Sequence, residues 1–307
     1  MASYNHEQFI AETIESVLNQ TFADFELNIV DDGSLDNSKE IINKYAELDP
    51  RIRFVFHEKN EGIARTYNDG LDMARGRYIA LVASDDIWNK VKLQKQLDIM
   101  NKNENLVVWS EAAIIDSKGK YTGRLFTEMV GAIRRKKSGD IFEELVRGNY
   151  LCAHIFAKKE YFQTLRFDED LKYLNDYKLL LELANNCRFH FLSEPLVRYR
   201  IHKGNTINSD AVNWRKDMIK LGEEILQKYD HKISNRSKAK VFLTISAANS
   251  KLGNVSESRK NLYKAIKLNP FEWFYNTFLV RYLRKTLFSL GLIRNKYKRN
   301  TKSFTEQ

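Results

Sequence analysis

Between residues 5 and 90 the chain alternates two hydrophobic periods. Phe9, Ile10, Ile14, Val17 and Leu18 recur at helical spacing, and Asn5 with Gln8 three positions later has the form of a capping box. Phe25 to Val30 alternates as a strand does and stops at Asp31-Asp32-Gly33-Ser34. A helix carrying Ile41, Ile42, Tyr45 and Leu48 ends before Pro50, and a strand around Ile52 to Phe56 leads to a helix from about Gly62 to Ala74. Tyr78 to Ala83 is a continuous apolar run, as a buried parallel strand reads, and it stops at Ser84-Asp85-Asp86. Such alternation predicts an α/β fold with a mostly parallel, doubly wound sheet. Ligands of these sheets bind beyond the carboxyl ends of the strands, where both acidic pairs fall.

From about Leu106 to Ile201 short strands and short helices mix, and after Asn205 the pattern is almost wholly helical. The expected division is therefore a catalytic α/β domain over residues 1–205 and a helical region over 206–307. Within the latter, Leu252-Gly253-Asn254 followed by Ala265 to Pro270 has the form of one tetratricopeptide-like helix pair, with no second copy at the required period.

Composition narrows the class. A hydrophobic share of 43% over 307 residues suits a folded protein with two cores. Cys152 and Cys187 are too few for a disulfide scaffold and lack metal-ligand spacing, so reduced thiols in a cytoplasmic protein are expected. No apolar run reaches the roughly 18 residues that a membrane-spanning helix needs, and no signal peptide is evident. The net charge of +10 is concentrated between Pro270 and Lys302, where eight basic residues face Glu272 alone. That distribution argues against nucleic acid as partner and for a basic end meeting an anionic surface. Trp273, Phe274, Phe278, Leu279, Leu283, Leu287 and Leu290 make this end amphipathic, which suits peripheral contact with an anionic membrane or, equally, a core helix.

Four places carry candidate chemistry. Asp85-Asp86 at a strand end suits a hard cation, since Mg²⁺ or Mn²⁺ bridges one or two carboxylates to substrate phosphates. Asp31-Asp32-Gly33-Ser34 could hold a base or ribose, or simply cap the next helix through Ser34 or Asp36. Asp176 opens a helix with Leu179, Leu180 and Leu183 inward, and is either a first-turn acid stabilised by the helix dipole or a general base. Finally, Arg200 and His202 project together after Pro195 to Tyr199.

Tyr4-Asn5, Val17 to Phe22, Val30 to Ser34, Ala74 to Ala80 and Ser84 to Trp88, in this order and spacing, resemble glycosyltransferase family 2, the inverting enzymes of GT-A fold. The resemblance covers residues 3 to 205 and implies transfer from a nucleoside-diphosphate sugar, UDP-linked, to a glycan or lipid-linked acceptor in surface polysaccharide or glycolipid synthesis. It implies that Tyr4 stacks on the base, that Asp32 hydrogen-bonds it, and that Asp85 contacts the ribose or phosphate region. Asp86 becomes the ligand of Mn²⁺ or Mg²⁺ in the "DXD" motif, with His202 beside it, Arg200 is set near the diphosphate, and Asp176 is the base. The sequence departs from the pattern at Ala83, Tyr67 and Asn175, where the family commonly has Asp, Arg and Glu. The chain also begins where the family's first strand should end, so a shortened strand is expected. A nucleotidyltransferase would want a glycine-rich phosphate loop, which is not visible. A transferase-like interaction protein of impaired activity is the remaining alternative.

Overall fold

The computed structural model describes residues 1–103, 105–132, 135–205 and 210–274. It forms two compact units, Met1–Asp217 and Met218–Gln307. In the first unit, β1 (Ala2–Ser3), β2 (Leu27–Asp31) and β3 (Ile52–Phe56) form a parallel sheet. Helices α1 (Ile10–Leu18), α2 (Ser38–Leu48) and α3 (Ile63–Met73) connect them and lead onward. Ile10, Ile14, Val17, Leu27, Ile29 and Ile42 are buried together, which is the core that the two periods predict. The expected capping box does not form. Asn5 instead adopts φ 51°, and its side chain accepts from Leu35 N at 2.9 Å, tying the loop after β1 to the turn after β2.

The second sheet is mixed. Its order is β4 (Tyr78–Ala80), β8 (Phe156–Lys158), β6 (Leu106–Ile115), β9 (Arg188–Arg200), β5 (Ile87–Trp88), with β7 (Tyr121–Leu125) on β6. The long β6–β9 pair is parallel, whereas β4–β8, β8–β6 and β9–β5 are antiparallel. The apolar run after Tyr78 is regular strand only to Ala80, yet Ala83 still bridges in parallel to Ala2. Through that contact β1 joins the two sheets over its two residues. Below it, a cavity of about 580 Å³ lies between β2 and β4, lined by Met1, Leu27, Asn28, Tyr78, Ile79 and Leu93 among others.

Helices α4 (Lys92–Met100), α5 (Phe126–Met129), α6 (Phe142–Val146) and α7 (Asn175–Asn186) complete this unit, with Leu179, Leu180 and Leu183 of α7 buried as expected. Beyond them runs α8 (Ala211–Lys228), whose end enters the second unit, followed by α9 (Asn235–Lys251), α10 (Val255–Leu268) and α11 (Pro270–Phe274). Gly222 lets α8 approach α9 closely, since a Cβ there would meet Ile245 Cγ1 at 2.8 Å. The α9–α10 hairpin turns at Gly253, φ 83°, and is clasped by Ser246 and Ser258, whose hydroxyls exchange bonds with each other's carbonyls at 2.8 and 2.9 Å. Among the described residues no helix is long and apolar enough to cross a membrane. The side chains from Trp273 onward, and with them the basic amphipathic end, lie outside the described residues.

Candidate active site

The two acidic pairs both end strands, but they are used differently. Asp31 accepts from Ser34 N at 2.8 Å, Ser34 Oγ at 2.6 Å and Ser3 Oγ at 3.0 Å, which closes the turn after β2. Gly33 in that turn has φ +72°, and a Cβ would come within 2.6 Å of Lys59 C, so only glycine fits. Asp32, expected to hold the base, accepts from Glu61 N at 2.7 Å and Gly62 N at 2.9 Å and pairs with His57 Nδ1 at 2.9 Å. His57 reaches on to Asp69 at 3.0 Å. Burial lowers the His57 imidazole, but its bonds to the two carboxylates more than offset this and hold it above its ordinary value. Asp32 therefore serves at least as the anchor of the 57–62 loop. Tyr4, expected to stack on the base, is 41% exposed beside this turn.

After β4 the chain turns so that Asp86 and Asp85, both buried, meet different partners. Asp86, 1% exposed, accepts from the Arg200 backbone N–H at 2.7 Å and pairs with His154 Nε2 at 2.6 Å. Trp88 Nε1 donates to His154 Nδ1 at 3.2 Å, which leaves the ring proton on Nε2 to be donated to Asp86. Burial raises the Asp86 carboxyl above the ordinary range. Both oxygens of Asp86 thus have partners inside the protein. His154 is buried as the partner of Asp86.

Asp85 faces a histidine group instead. Its Oδ2 lies 3.0 Å from His202 Nε2 and 3.3 Å from Asn205 Nδ2. His6 completes a group in which one ligand atom from each of His6, Asp85 and His202 lies within 4.8 Å of the others. Burial would raise the Asp85 carboxyl, but the His202 bond and the charges on His6 and His202 hold it below its ordinary value. The residues that fit a divalent ion are therefore one carboxylate and two imidazoles, a set richer in nitrogen than Mg²⁺ prefers.

Arg200 is 2% exposed and belongs to the frame. Its Nε donates to Asp85 O at 2.7 Å, its Nη2 to Glu12 Oε2 at 2.6 Å, and its guanidinium lies over the Phe9 ring at 4.9 Å. That geometry assigns it the holding of Asp85 in place rather than the direct diphosphate contact expected of it.

Asp176 lies in the first turn of α7, and burial pushes its carboxyl up to about 6. Its neighbourhood is shared with the acidic pair, because Asp85, Asp86 and Asp176 all push the buried Tyr67 phenol upward after burial itself, and likewise Tyr199. The loop before α7 is fixed by Asn68, which exchanges bonds with Phe167 N and O at 3.0 and 2.9 Å, while Tyr67 stacks on Phe167 at 4.7 Å. Asn175 donates to Leu171 O at 3.1 Å and packs inside. Arg65 pairs with Asp69 at 3.1 Å. Arg135 is bound to Gly148 O at 3.0 Å and lies over Tyr150.

Residues 1–165 match the sequence pattern of glycosyl transferase family 2. The chain belongs to this family. As a family 2 glycosyltransferase it is 33% identical over 207 residues to an uncharacterized glycosyltransferase of Methanocaldococcus jannaschii, covering 66% of this chain and 69% of that one. It is 45% identical over 98 residues, 32% of this chain and 39% of the other, to a Bacillus subtilis glycosyltransferase, TuaG, whose name assigns it to teichuronic acid biosynthesis. A Rickettsia felis glycosyltransferase matches 93% of this chain at 28% identity, and there the chain spans only 44% of its relative's length. The fold is similar to that of the S. aureus TarS fragment 1-349 crystallised with UDP-GlcNAc, with TM-score 0.67 at 20% identity over 87% of this chain and 79% of that one. The GT-A fold with a helical C-terminal region, expected from the sequence, thus holds for this glycosyltransferase.

Proposed function

We propose that this glycosyltransferase moves a sugar from a UDP-linked donor to an acceptor hydroxyl with inversion, in the synthesis of a cell-surface polysaccharide. The observation that supports the reading is that Asp85, paired with His202 after β4, and Asp176, in the first turn of α7, both act electrostatically on the buried Tyr67 phenol of a family 2 domain. The UDP-linked donor is supported by a similar fold that binds UDP and UDP-GlcNAc in TarS, and the surface polysaccharide by the likeness to TuaG.

In this reading Asp85 and His202 hold a divalent cation, Mn²⁺ or Mg²⁺, which when bound neutralises charge on the departing diphosphate. Asp176 accepts the proton of the acceptor hydroxyl as the oxygen attacks the anomeric carbon from the face opposite the diphosphate. A carboxyl raised to about 6 is still ionised at neutral pH and is a stronger base than an ordinary aspartate. Tyr4 stacks on the base, and Asp32, through the loop it anchors, shapes the base pocket. Asp86 and Arg200 keep Asp85 in position. The lipid-linked or glycan nature of the acceptor and peripheral membrane contact through the basic end are parts of the same proposal.

The test is transfer and donor hydrolysis with a panel of UDP-sugars and Mn²⁺, in wild type and Asp176→Asn. The variant should keep donor affinity and lose about 10²–10⁴-fold in rate. Wild-type kcat should rise with pH through about 6, since the base acts only when ionised. Near-wild-type transfer by the variant removes Asp176 from the role. No turnover of any nucleotide sugar by a folded wild type favours the interaction-protein alternative.

A further inference from the structure

The cluster beyond β4 contains a residue that the proposed reaction does not use. His6 follows Asn5, the one described non-glycine residue with positive φ, and such a conformation persists only where its surroundings enforce it. Here they do. Asn5 N donates to Ser34 Oγ at 2.8 Å, Asn5 Oδ1 accepts from Leu35 N at 2.9 Å, and His6 N donates to Ser38 Oγ at 3.1 Å. Three bonds to the turn after β2 thus fix the two residues that aim the His6 ring at Asp85.

The ring itself is oriented a second time. His6 Nδ1 lies 2.7 Å from Ser84 Oγ, on the residue just before Asp85. With the proton on Nδ1 and donated to that hydroxyl, Nε2 keeps its lone pair, which is the arrangement that metal-ligating histidines adopt when their other nitrogen is held by a neighbour. The rings of His6 and His202 meet edge to face at 5.5 Å, and Phe9 closes one side, 4.7 Å from His202 and 5.9 Å from His6. Asp85 lies on the remaining side, 3.0 Å from His202 Nε2.

We infer that His6 is a third protein ligand of the cation, and that the site is built for a nitrogen-accepting metal such as Mn²⁺ in preference to Mg²⁺. The inference rests on the reading of Asp85 and His202 as the cation pair. Its chemistry follows from the donors: Mg²⁺ favours oxygen and gives up water reluctantly, while two imidazoles and one carboxylate suit the later divalent ions. A lone carboxylate would bind either ion weakly and discriminate little. Two fixed imidazoles change that.

The experiment uses the full chain and MnCl₂ alone, without nucleotide, read by the electron paramagnetic resonance of free Mn²⁺ and by calorimetry, with MgCl₂ as competitor. The wild type should bind one Mn²⁺ and require at least about tenfold more Mg²⁺ to displace it. His6→Gln can still bond Ser84 but offers no imidazole, and it should weaken Mn²⁺ at least about tenfold while changing Mg²⁺ little. His6→Asp, which substitutes an oxygen ligand, should recover binding with the preference shifted toward Mg²⁺. Circular dichroism and Tm show that each variant is folded. Unchanged Mn²⁺ affinity in His6→Gln, or equal loss of both ions, overturns the third ligand. Donor hydrolysis separates this from the reading beneath it. Wild-type hydrolysis with no His6 effect on Mn²⁺ sinks the inference alone, whereas His6-dependent Mn²⁺ binding without turnover of any nucleotide sugar sinks the transferase reading and keeps the site.

Discussion

Asp31-Asp32 and Asp85-Asp86 are the same dipeptide at the same kind of place, the carboxyl end of an extended segment, and they do opposite work. In the first pair both carboxylates are consumed by the protein, one closing a turn and one anchoring the 57–62 loop. In the second pair only Asp86 is consumed, while Asp85 faces two histidines. The difference comes from the neighbours. Asp31 is closed by two hydroxyls and a backbone N–H, and Asp32 by two backbone N–H groups and His57, so each has three partners. Asp85 faces His202, Asn205 and His6, from segments distant in sequence. An acidic pair is therefore a position, and its partners decide its chemistry.

The comparison breaks most visibly at Asp86. Asp86→Ala strands two buried donors, His154 Nε2–H and Arg200 N–H, at about 1–3 kcal/mol each, so thermal or urea unfolding should show a loss of about 3 kcal/mol or more. Asp85→Asn should instead leave Tm nearly unchanged and lower transfer by about 10²–10³-fold, the scale of one lost electrostatic contact to the leaving group. A strongly unfolded Asp85 variant, or an active and stable Asp86 variant, would reverse the assignment. Asp32→Ala removes charge-assisted bonds from Glu61 N and Gly62 N and should cost about 1.5–3 kcal/mol, with a rise in KM for donor larger than any fall in kcat.

The smallest expected effect lies at the far end of the Asp86 chain. Lys92 is fully buried over the Trp88 ring at 4.0 Å and donates to Gln96 at 2.8 Å, and burial lowers its ammonium to about 7. Between about pH 7 and its unfolded value of 10.5 the unfolded chain binds the proton that the folded chain lacks, so stability rises with pH across that window. Lys92→Met should then be the more stable protein at pH 6, by about 1 kcal/mol, and lose that advantage near pH 10. A flat difference between the two proteins across pH would show that Lys92 stays charged when folded.

Much of this was legible in the pattern of residues. The helices from Ile10, Ser38 and Ile63 and the strands at Leu27 and Ile52 follow directly from periods of 3.6 and 2. The antiparallel members were not, because β5 and β8 are two and three residues long and carry no period of their own. Within the site, Asp85, Asp176 and His202 could be found from strand and helix ends. The different partners of Asp85 and Asp86 could not, since they depend on which carboxylate Arg200 and His154 reach from over sixty residues away. His57 had a signal in principle: register sets Phe56 beside Asp31, and so His57 beside Asp32. His6 and His154 are single histidines without ligand spacing, and only the folded chain shows what they face.

Strand β9 also has a consequence in time. Asp86 finds its partner in Arg200, 114 residues on, and Arg200 finds Glu12, 188 residues back. β9 itself lies parallel to β6, a pairing that needs the whole intervening chain to be closed first. Contacts of such long range form late, because the entropy of closing the loop must be met before they can contribute. During synthesis or refolding, the β2 turn and its acids can settle early, while the cation pair of Asp85 and His202 does not exist until the last strand docks. An immature chain would thus hold the turn and its loop without the pairing of Asp85 with His202, and that half of the site becomes available only on a finished fold.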